Sequence, residues 1–296
     1  MAITLVDFSQ TVISSCAVQS KELRGADKGM IKHICLNQIL SLKRKFPGKV
    51  ILCVDAKNYW RRDRFPHYKG HRTHSRDSSS LDWELVFETL NEFKEDLKEN
   101  FPYIVLEVQN AEADDCIAVL TKHFQENELI NTGLIEEPQD IMIVSSDGDM
   151  RQLQKYHGVR QWSNIEKKFV VEKNPKKWLI ENICSGQAKD NIPSITNGDT
   201  WSKARADNCP VRASPFKTAR LIDFYNKGID ACLDESERTH YKRNELLIDF
   251  DLIPDAIYTR VVKEYMDYEI KGSKIKVYNY LTQNRMKLLL GSASDF

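Results

Sequence analysis

The sequence predicts an α/β protein: a mostly parallel central sheet flanked by helices, with a smaller helical C-terminal domain. Three observations carry this. Short, almost wholly apolar runs alternate with amphipathic stretches through the first half of the chain. Those runs are apolar on both faces, as strands buried inside a parallel sheet must be. Past about residue 172 the alternation stops and only helical patterns recur. Strand–helix–strand units of this kind join by right-handed crossovers into a parallel sheet.

Taken in order, the first run is ITLVDF, with Asp7 near its end. Met30 to Phe46 has apolar residues at helical spacing and stops at the breaker pair Pro47-Gly48. KVILCVD is the second strand, and Leu81 to Asn100 an amphipathic helix with Leu85, Leu90, Phe93 and Leu97 near one face. YIVLEV is a strand, AEADDCIAVLTKHF a helix, and DIMIVSSDGD the fourth strand. VRQWS and KKFVVEK read as an edge hairpin around residue 165. PKKWLIENICSG is a helix with Pro175 in its first turn and Gly186 past its end. A polar, turn-rich stretch covers Asn191 to Pro215, and helical segments follow. The expected division is 1–171 and 172–296. The last residues, MKLLLGSASDF, read as a helix end docked on its own domain, with binding to a partner as the other reading.

The 296 residues hold 41% hydrophobic side chains, enough for a sizeable core. Lys+Arg and Asp+Glu are each 43, so a purely electrostatic nucleic-acid binder is excluded, although opposite local patches are not. No apolar run approaches the roughly 18 residues of a membrane span. The start, MAITLVDFSQ, has no basic n-region. A soluble, cytoplasmic protein is expected. Seven scattered cysteines without C-x-x-C suggest neither a disulfide framework nor a zinc site.

The acids fall in a pattern. Asp7, Asp55 and the pair Asp147/Asp149 lie at or just past the ends of apolar runs, and YIVLEV is followed by Glu112, Asp114 and Asp115 at a helix start. In an open parallel sheet those strand ends face one crevice. Carboxylates ~4 Å apart repel by about 4 kcal/mol per pair at an effective dielectric near 20, so protons or cations must neutralise them. Oxygen ligands alone favour Mg²⁺ or Mn²⁺, and this many acids favour two ions, as in displacement at phosphorus. Any one of the acids alone reads equally well as a helix cap or turn former. The shared edge favours a metal site.

Lys57 to Arg76, KNYWRRDRFPHYKGHRTHSR, holds seven Lys/Arg against one acid, with Tyr59, Trp60, Phe65 and Tyr68 interleaved. It begins just after Asp55, at the rim of that crevice. Cations beside rings suit single-stranded nucleic acid, and a solvated basic loop is the plain alternative.

LVDFSQ, VILCVDAKNYWRRD, YKGHR, EADDCIAVL, IVSSDGDMRQL, GQAKDNIPSI and LIDFDLIPD, in this order, resemble the 5′-nucleases of the flap endonuclease superfamily, which share a PIN-like fold. Within that superfamily they are most similar to the ribonuclease H branch of T-even-type bacteriophages. The resemblance implies a catalytic domain at 1–171 with a basic arch at 57–80, and a DNA-binding, helix–hairpin–helix-like domain at 172–296. It implies Mg²⁺-dependent 5′→3′ removal of RNA primers and adjacent DNA, with 5′-flap cleavage. Asp7, Asp55, Glu112 and Asp114 would surround one Mg²⁺, and Asp147, Asp149 and Asp190 the other, with Asp114 or Asp115 shared; Mn²⁺ is expected to substitute. Lys69 and Arg72 would engage the scissile phosphate and Tyr68 stack a terminal base. Arg61, Arg62, Arg64 and Lys217 would join them in binding nucleic acid, with Lys203, Arg205, Arg212 and Arg220 as further phosphate contacts. Implied partners are RNA–DNA hybrid, duplex DNA with a 5′ flap or overhang, and replisome proteins such as a single-stranded DNA-binding protein or sliding clamp. A monomer without membrane contact is expected. A K⁺ ion known in the family's hairpin element has no support in these residues.

This chain departs from the family in two places. It reads G-Q-A-K-D-N where the family has G-D-x-x-D-N, so Gln187 replaces an acid and a weaker second ion is expected. A longer polar insert replaces the tight glycine hairpin. A PIN-type endoribonuclease and a non-catalytic DNA-junction binder stand as alternatives.

Overall fold

The structure, a computed structural model, describes residues 2–18, 27–77, 82–126 and 138–296. The apolar runs form the strands β1 (Ile3–Asp7), β2 (Lys49–Val54), β3 (Ile104–Glu107), β4 (Ile141–Val144), β5 (Val159–Ser163) and β6 (Lys168–Val170). They build one sheet in the order β3-β2-β1-β4-β5-β6. All neighbours are parallel except β5 and β6, the expected edge hairpin. β1 lies between β2 and β4, so the chain order reverses at its end, where open α/β sheets place their ligands.

The helices on or near the sheet are α1 (Phe8–Val18), α2 (Lys28–Lys45), α3 (Trp60–Arg64), α4 (Arg72–Asp77), α5 (Trp83–Asn100) and α6 (Ala113–Glu126). Beyond the sheet follow α7 (Pro175–Ser185), α8 (Asp199–Ala206), α9 (Leu221–Lys227), α10 (Glu235–Ile248), α11 (Asp255–Met266), α12 (Lys274–Gln283) and α13 (Lys287–Leu290). Side-chain caps fix several starts: Asp27 accepts from Met30 N–H, Asp82 from Leu85 N–H and Asn174 from Lys177 N–H. The Leu81 start expected for α5, and arch positions 78–80, lie outside the described residues. The segment 57–77, read as a loop, carries α3 and α4.

Two further helices, α1 and α8, escaped the sequence reading. α1 is rich in Ser, Thr and β-branched residues, poor helix formers. It forms because Asp7 Oδ1 accepts the Gln10 N–H at 3.0 Å and because Phe8, Val12 and Cys16 are buried. α8 is a short helix inside the turn-rich insert.

Packing divides the molecule into three cores. On one sheet face, Leu36 and Ile39 of α2 and Phe93 and Leu97 of α5 meet Val277, Leu281 and Phe296 from the far end of the chain. On the other, Ile117 and Leu120 of α6 meet Phe250, Ile257 and Val261. Residues from both sides of 171/172 therefore share the sheet's cores, and α11–α13 belong to its layers. The third core joins Phe65 and Tyr68 of the basic segment to Ile183, Ile192, Phe224 and Tyr241 of a lobe built from α7–α10. This lobe seats the base of the arch over the sheet's C-terminal edge. The chain end is docked: Phe296 is buried with its ring 5.3 Å from Phe101, and Asp295 pairs with Arg44. Among the described residues no helix is long and apolar enough to cross a membrane.

Candidate active site

The strand ends deliver the acids to one place. Asp7 closes β1, Asp55 follows β2, and Asp114 sits in the first turn of α6. Asp147 caps the 3₁₀ helix Gly148–Lys155, accepting the Asp149 N–H at 3.0 Å. β1 and β4 are tied where their ends meet: Ser145 Oγ donates to Asp7 Oδ2 at 3.2 Å, and Ser146 N–H to Gln10 Oε1 at 2.5 Å.

The electrostatics report how close these carboxylates are. Burial and then Asp55, with Asp147 adding, push the Asp7 carboxyl up to about 7. Burial, Asp147 and Asp7 hold Asp114 well above the usual carboxylate range. Burial raises Asp149 to about 6, with Asp147 and Asp190 adding and Lys189 opposing. Burial is the largest cause for all three, and the neighbouring carboxylates raise one another on top of it. Asp190 is the exception. Burial would raise it, but Lys69, Lys189 and Arg72 together hold it at about 2.

Cations reach into the acids from two sides. Lys189 Nζ contacts Asp147 Oδ1, lies 2.9 Å from Asp149 Oδ2 and 3.4 Å from Asp190 Oδ2. From the arch, Lys69 Nζ donates to Glu112 Oε1 at 2.5 Å and Arg72 Nη2 to Asp190 Oδ1 at 2.7 Å. Lys69 takes a left-handed backbone (φ 55°), and its N–H donates to the Asp190 carbonyl at 2.9 Å. A cleft of about 430 Å³ runs from Asp55 and Glu112 between the arch and α5, with Arg62, Lys69, Arg72 and Arg76 along its basic side. Arg62 is exposed there, over the Tyr59 ring at 4.9 Å; Arg64 and Lys217 are exposed outside it.

Four residues stand differently from their expected roles. Arg61 is 2% exposed and faces inward: Nη1 bonds Glu112 Oε2 at 2.9 Å and Asp115 Oδ1 at 2.7 Å, and Nε the Leu247 carbonyl. It cannot reach a phosphate. Tyr68 is buried in the lobe's core with its hydroxyl on Glu112, so no ring face is offered to a base. Asp115 is fully buried and turned inward, with its oxygens accepting from Arg61, Trp60 Nε1 and the Glu112 N–H. Arg220 pairs through two nitrogens with Glu237 at 2.6 and 2.8 Å.

Lys189 was not singled out from the sequence, although GQAKDN places it one residue before Asp190. Asn191 was missed too: fully buried, with φ 61°, its Nδ2 donates to the His67 and Ser202 carbonyls and so ties the arch to α8. Gln187 Nε2 donates to Asp149 Oδ1 at 2.5 Å, which fixes that carboxylate without adding charge.

Among the described residues no three carboxylate, His or Cys groups already close on one point. The ammonium groups of Lys69 and Lys189 stand among the acids instead. An all-oxygen donor set that is partly buried and self-repelling nevertheless fits hard divalent cations.

A crevice of acids at a sheet's reversal point, roofed by a basic arch, defines a phosphodiester-cleaving enzyme of the 5′-nuclease type. The profile of the 5′-3′ exonuclease N-terminal, resolvase-like domain matches residues 4–180, and that of the T4 RNase H C-terminal domain residues 175–296. The chain belongs to this family, and it is a nuclease with 5′-nuclease function. It is 36% identical, over 304 aligned residues, to Ribonuclease H of Enterobacteria phage T4, covering 99% of this chain and 95% of that one. Its fold is similar to a zinc-bound T5 5′-exonuclease (TM-score 0.62, 16% identity) and to a T5 flap endonuclease in complex with DNA and metal ions (TM-score 0.62, 15% identity). Each comparison covers 90% of this chain and 99% of the other.

Proposed function

We propose that the protein is a Mg²⁺-dependent 5′→3′ nuclease that removes RNA primers and adjacent DNA from lagging-strand fragments and cuts 5′ flaps. The observation that carries this is the gathering of acids at the strand ends, where Lys189 Nζ bridges Asp147, Asp149 and Asp190, Ser145 Oγ joins Asp7 from the neighbouring strand, and Arg72 and Lys69 reach Asp190 and Glu112 from the arch. The phage T4 relative is a ribonuclease H and one T5 neighbour a flap endonuclease bound to DNA. The first name agrees with an RNA–DNA hybrid as substrate and the second with a flap.

Asp7, Asp55, Glu112 and Asp114 would hold one divalent ion, and Asp147, Asp149 and Asp190 a second. Bound there, such ions supply Lewis acidity for attack of water at phosphorus and for departure of the 3′-oxygen. The chain's own residues bind and orient. Lys69 and Arg72 draw the phosphate into the crevice and offset charge growing on its free oxygens. Arg72's planar fork suits two oxygens at once, whereas Lys69 acts as a point charge. Gln187 and Ser145 keep Asp149 and Asp7 in fixed orientation. Arg61 and Tyr68 hold Glu112 at the base of the arch.

A 5′-labelled primer–flap substrate, incubated with and without Mg²⁺, tests the reading. Short labelled 5′ products that form only with the ion are expected. Tight binding without cleavage across Mg²⁺ and Mn²⁺ concentrations would show a junction binder instead.

A further inference from the structure

α4 separates two cavities. Arg72, Thr73 and Arg76 face the acidic cleft, while His74, with His71 just before the helix, faces a second cavity of about 420 Å³. The other wall of that cavity is the polar insert at 191–215, contributing Trp201, Arg205 and Asn208. The two walls are locked together. A Cβ on Gly70 would stand 2.9 Å from the Ala206 Cβ, so the arch approaches α8 as closely as a glycine permits. His74 Nε2 lies 3.0 Å from the Ala206 carbonyl, and Asn191 bridges His67 and Ser202.

The lining has the chemistry of a nucleotide site. The Arg205 guanidinium lies 4.6 Å from the Trp201 ring centroid. Its Nη1 is anchored to the Ala188 carbonyl at 2.9 Å and to Asn191 Oδ1, while its other N–H groups have no partner among the described residues. His71 Nδ1 is buried and has no hydrogen-bond partner. The Arg205 guanidinium covers one face of the Trp201 indole; the other face accepts any base by stacking, and the guanidinium takes the attached phosphate. The cavity of about 420 Å³ is large enough for a single nucleotide. The cavity also touches the crevice's own frame, because Ala188 and Asn191 flank Asp190.

We propose that Trp201, Arg205 and His71 form a subsite for one unpaired nucleotide of the 5′ strand, with its base on Trp201 and its phosphate on Arg205. This rests on the reading of the acidic crevice as the place where that strand is cut. The polar insert thereby gains a task. It grips the unpaired tail on the far side of α4 while Lys69 and Arg72 hold the phosphate to be cleaved.

Fluorescence anisotropy in EDTA, comparing a duplex with a 5′ oligothymidine tail against the same duplex without it, tests the subsite. Trp201→Ala should bind the tailed duplex about tenfold more weakly, the scale of one stacked base, and the untailed duplex unchanged. Trp201→Phe, which keeps a ring, should restore most of the loss and guards against a folding defect. A tail carrying 5-iodouridine should cross-link on irradiation to Trp201. Equal binding of the tailed duplex by Trp201→Ala and the unsubstituted protein, or equal loss with both duplexes, overturns the subsite. If the unsubstituted protein cleaves neither duplex with Mg²⁺, the reading of the crevice falls and takes the subsite with it.

Discussion

Lys189 puts an ammonium group among Asp147, Asp149 and Asp190, and Gln187 supplies an amide where a further acid stands in the family. The ammonium stands in for positive charge that a second divalent ion would otherwise bring, and the neutral amide leaves out a negative charge that would help to hold that ion. Lys189→Met and Gln187→Asp are therefore expected to lower the Mg²⁺ concentration for half-maximal cleavage; superimposable metal titrations for all three proteins would remove both residues from the metal balance. Asp149→Asn should retain substrate binding and lose turnover at least roughly a hundredfold, measured as single-turnover rate beside anisotropy. Arg61→Met leaves Glu112 and Asp115 buried without their counter-charge and should cost about 3 kcal/mol in urea unfolding. The acids of the site were legible because a short apolar run followed by Asp identifies a strand end. Arg61, Tyr68 and Asp115 were not. Within a segment of seven cations nothing in the sequence separates the arginine that turns inward from the ones that face solvent. That distinction depends on the lobe of α7–α10 closing over the arch.

β1, β2 and β4 were readable for a plain physical reason: they are buried on both faces, so their residues are almost continuously apolar. α1 and α8 were unreadable because tertiary contacts override weak local propensity. The last two helices show the same lesson in packing. From sequence, 172–296 reads as a separate helical unit, yet α12 and Phe296 fill a core begun by α2 and α5. Phe296→Ala removes a ring that is 2% exposed and edge-on to Phe101. The expected loss is about 3 kcal/mol, read by chemical denaturation of the whole protein. A loss confined to α10–α13, with the sheet unfolding at its original midpoint, would contradict the shared core.

At the scale of the whole molecule, a chain of zero formal charge separates its charges into an acidic crevice and a basic roof. This arrangement makes metal-free stability depend on pH. Asp7 titrates at about 7 and Asp149 at about 6 when folded, but near 3.9 when unfolded. Between roughly pH 4 and 7 the folded protein keeps protons that the unfolded chain has released, so stability falls as pH rises through that window. Asp190, held at about 2, contributes stability that is constant above roughly pH 4 and does not offset the trend. Melting temperature in EDTA should decline from pH 5 to pH 8, and millimolar Mg²⁺ should flatten the decline, since cations replace the lost protons. The most direct measurement is Mn²⁺ binding followed by electron paramagnetic resonance on the intact protein at pH 8. Two ions per chain are predicted, the second weaker and strengthened by Lys189→Met. A protein that leaves millimolar Mn²⁺ entirely free would contradict the assembly of these carboxylates as a metal centre.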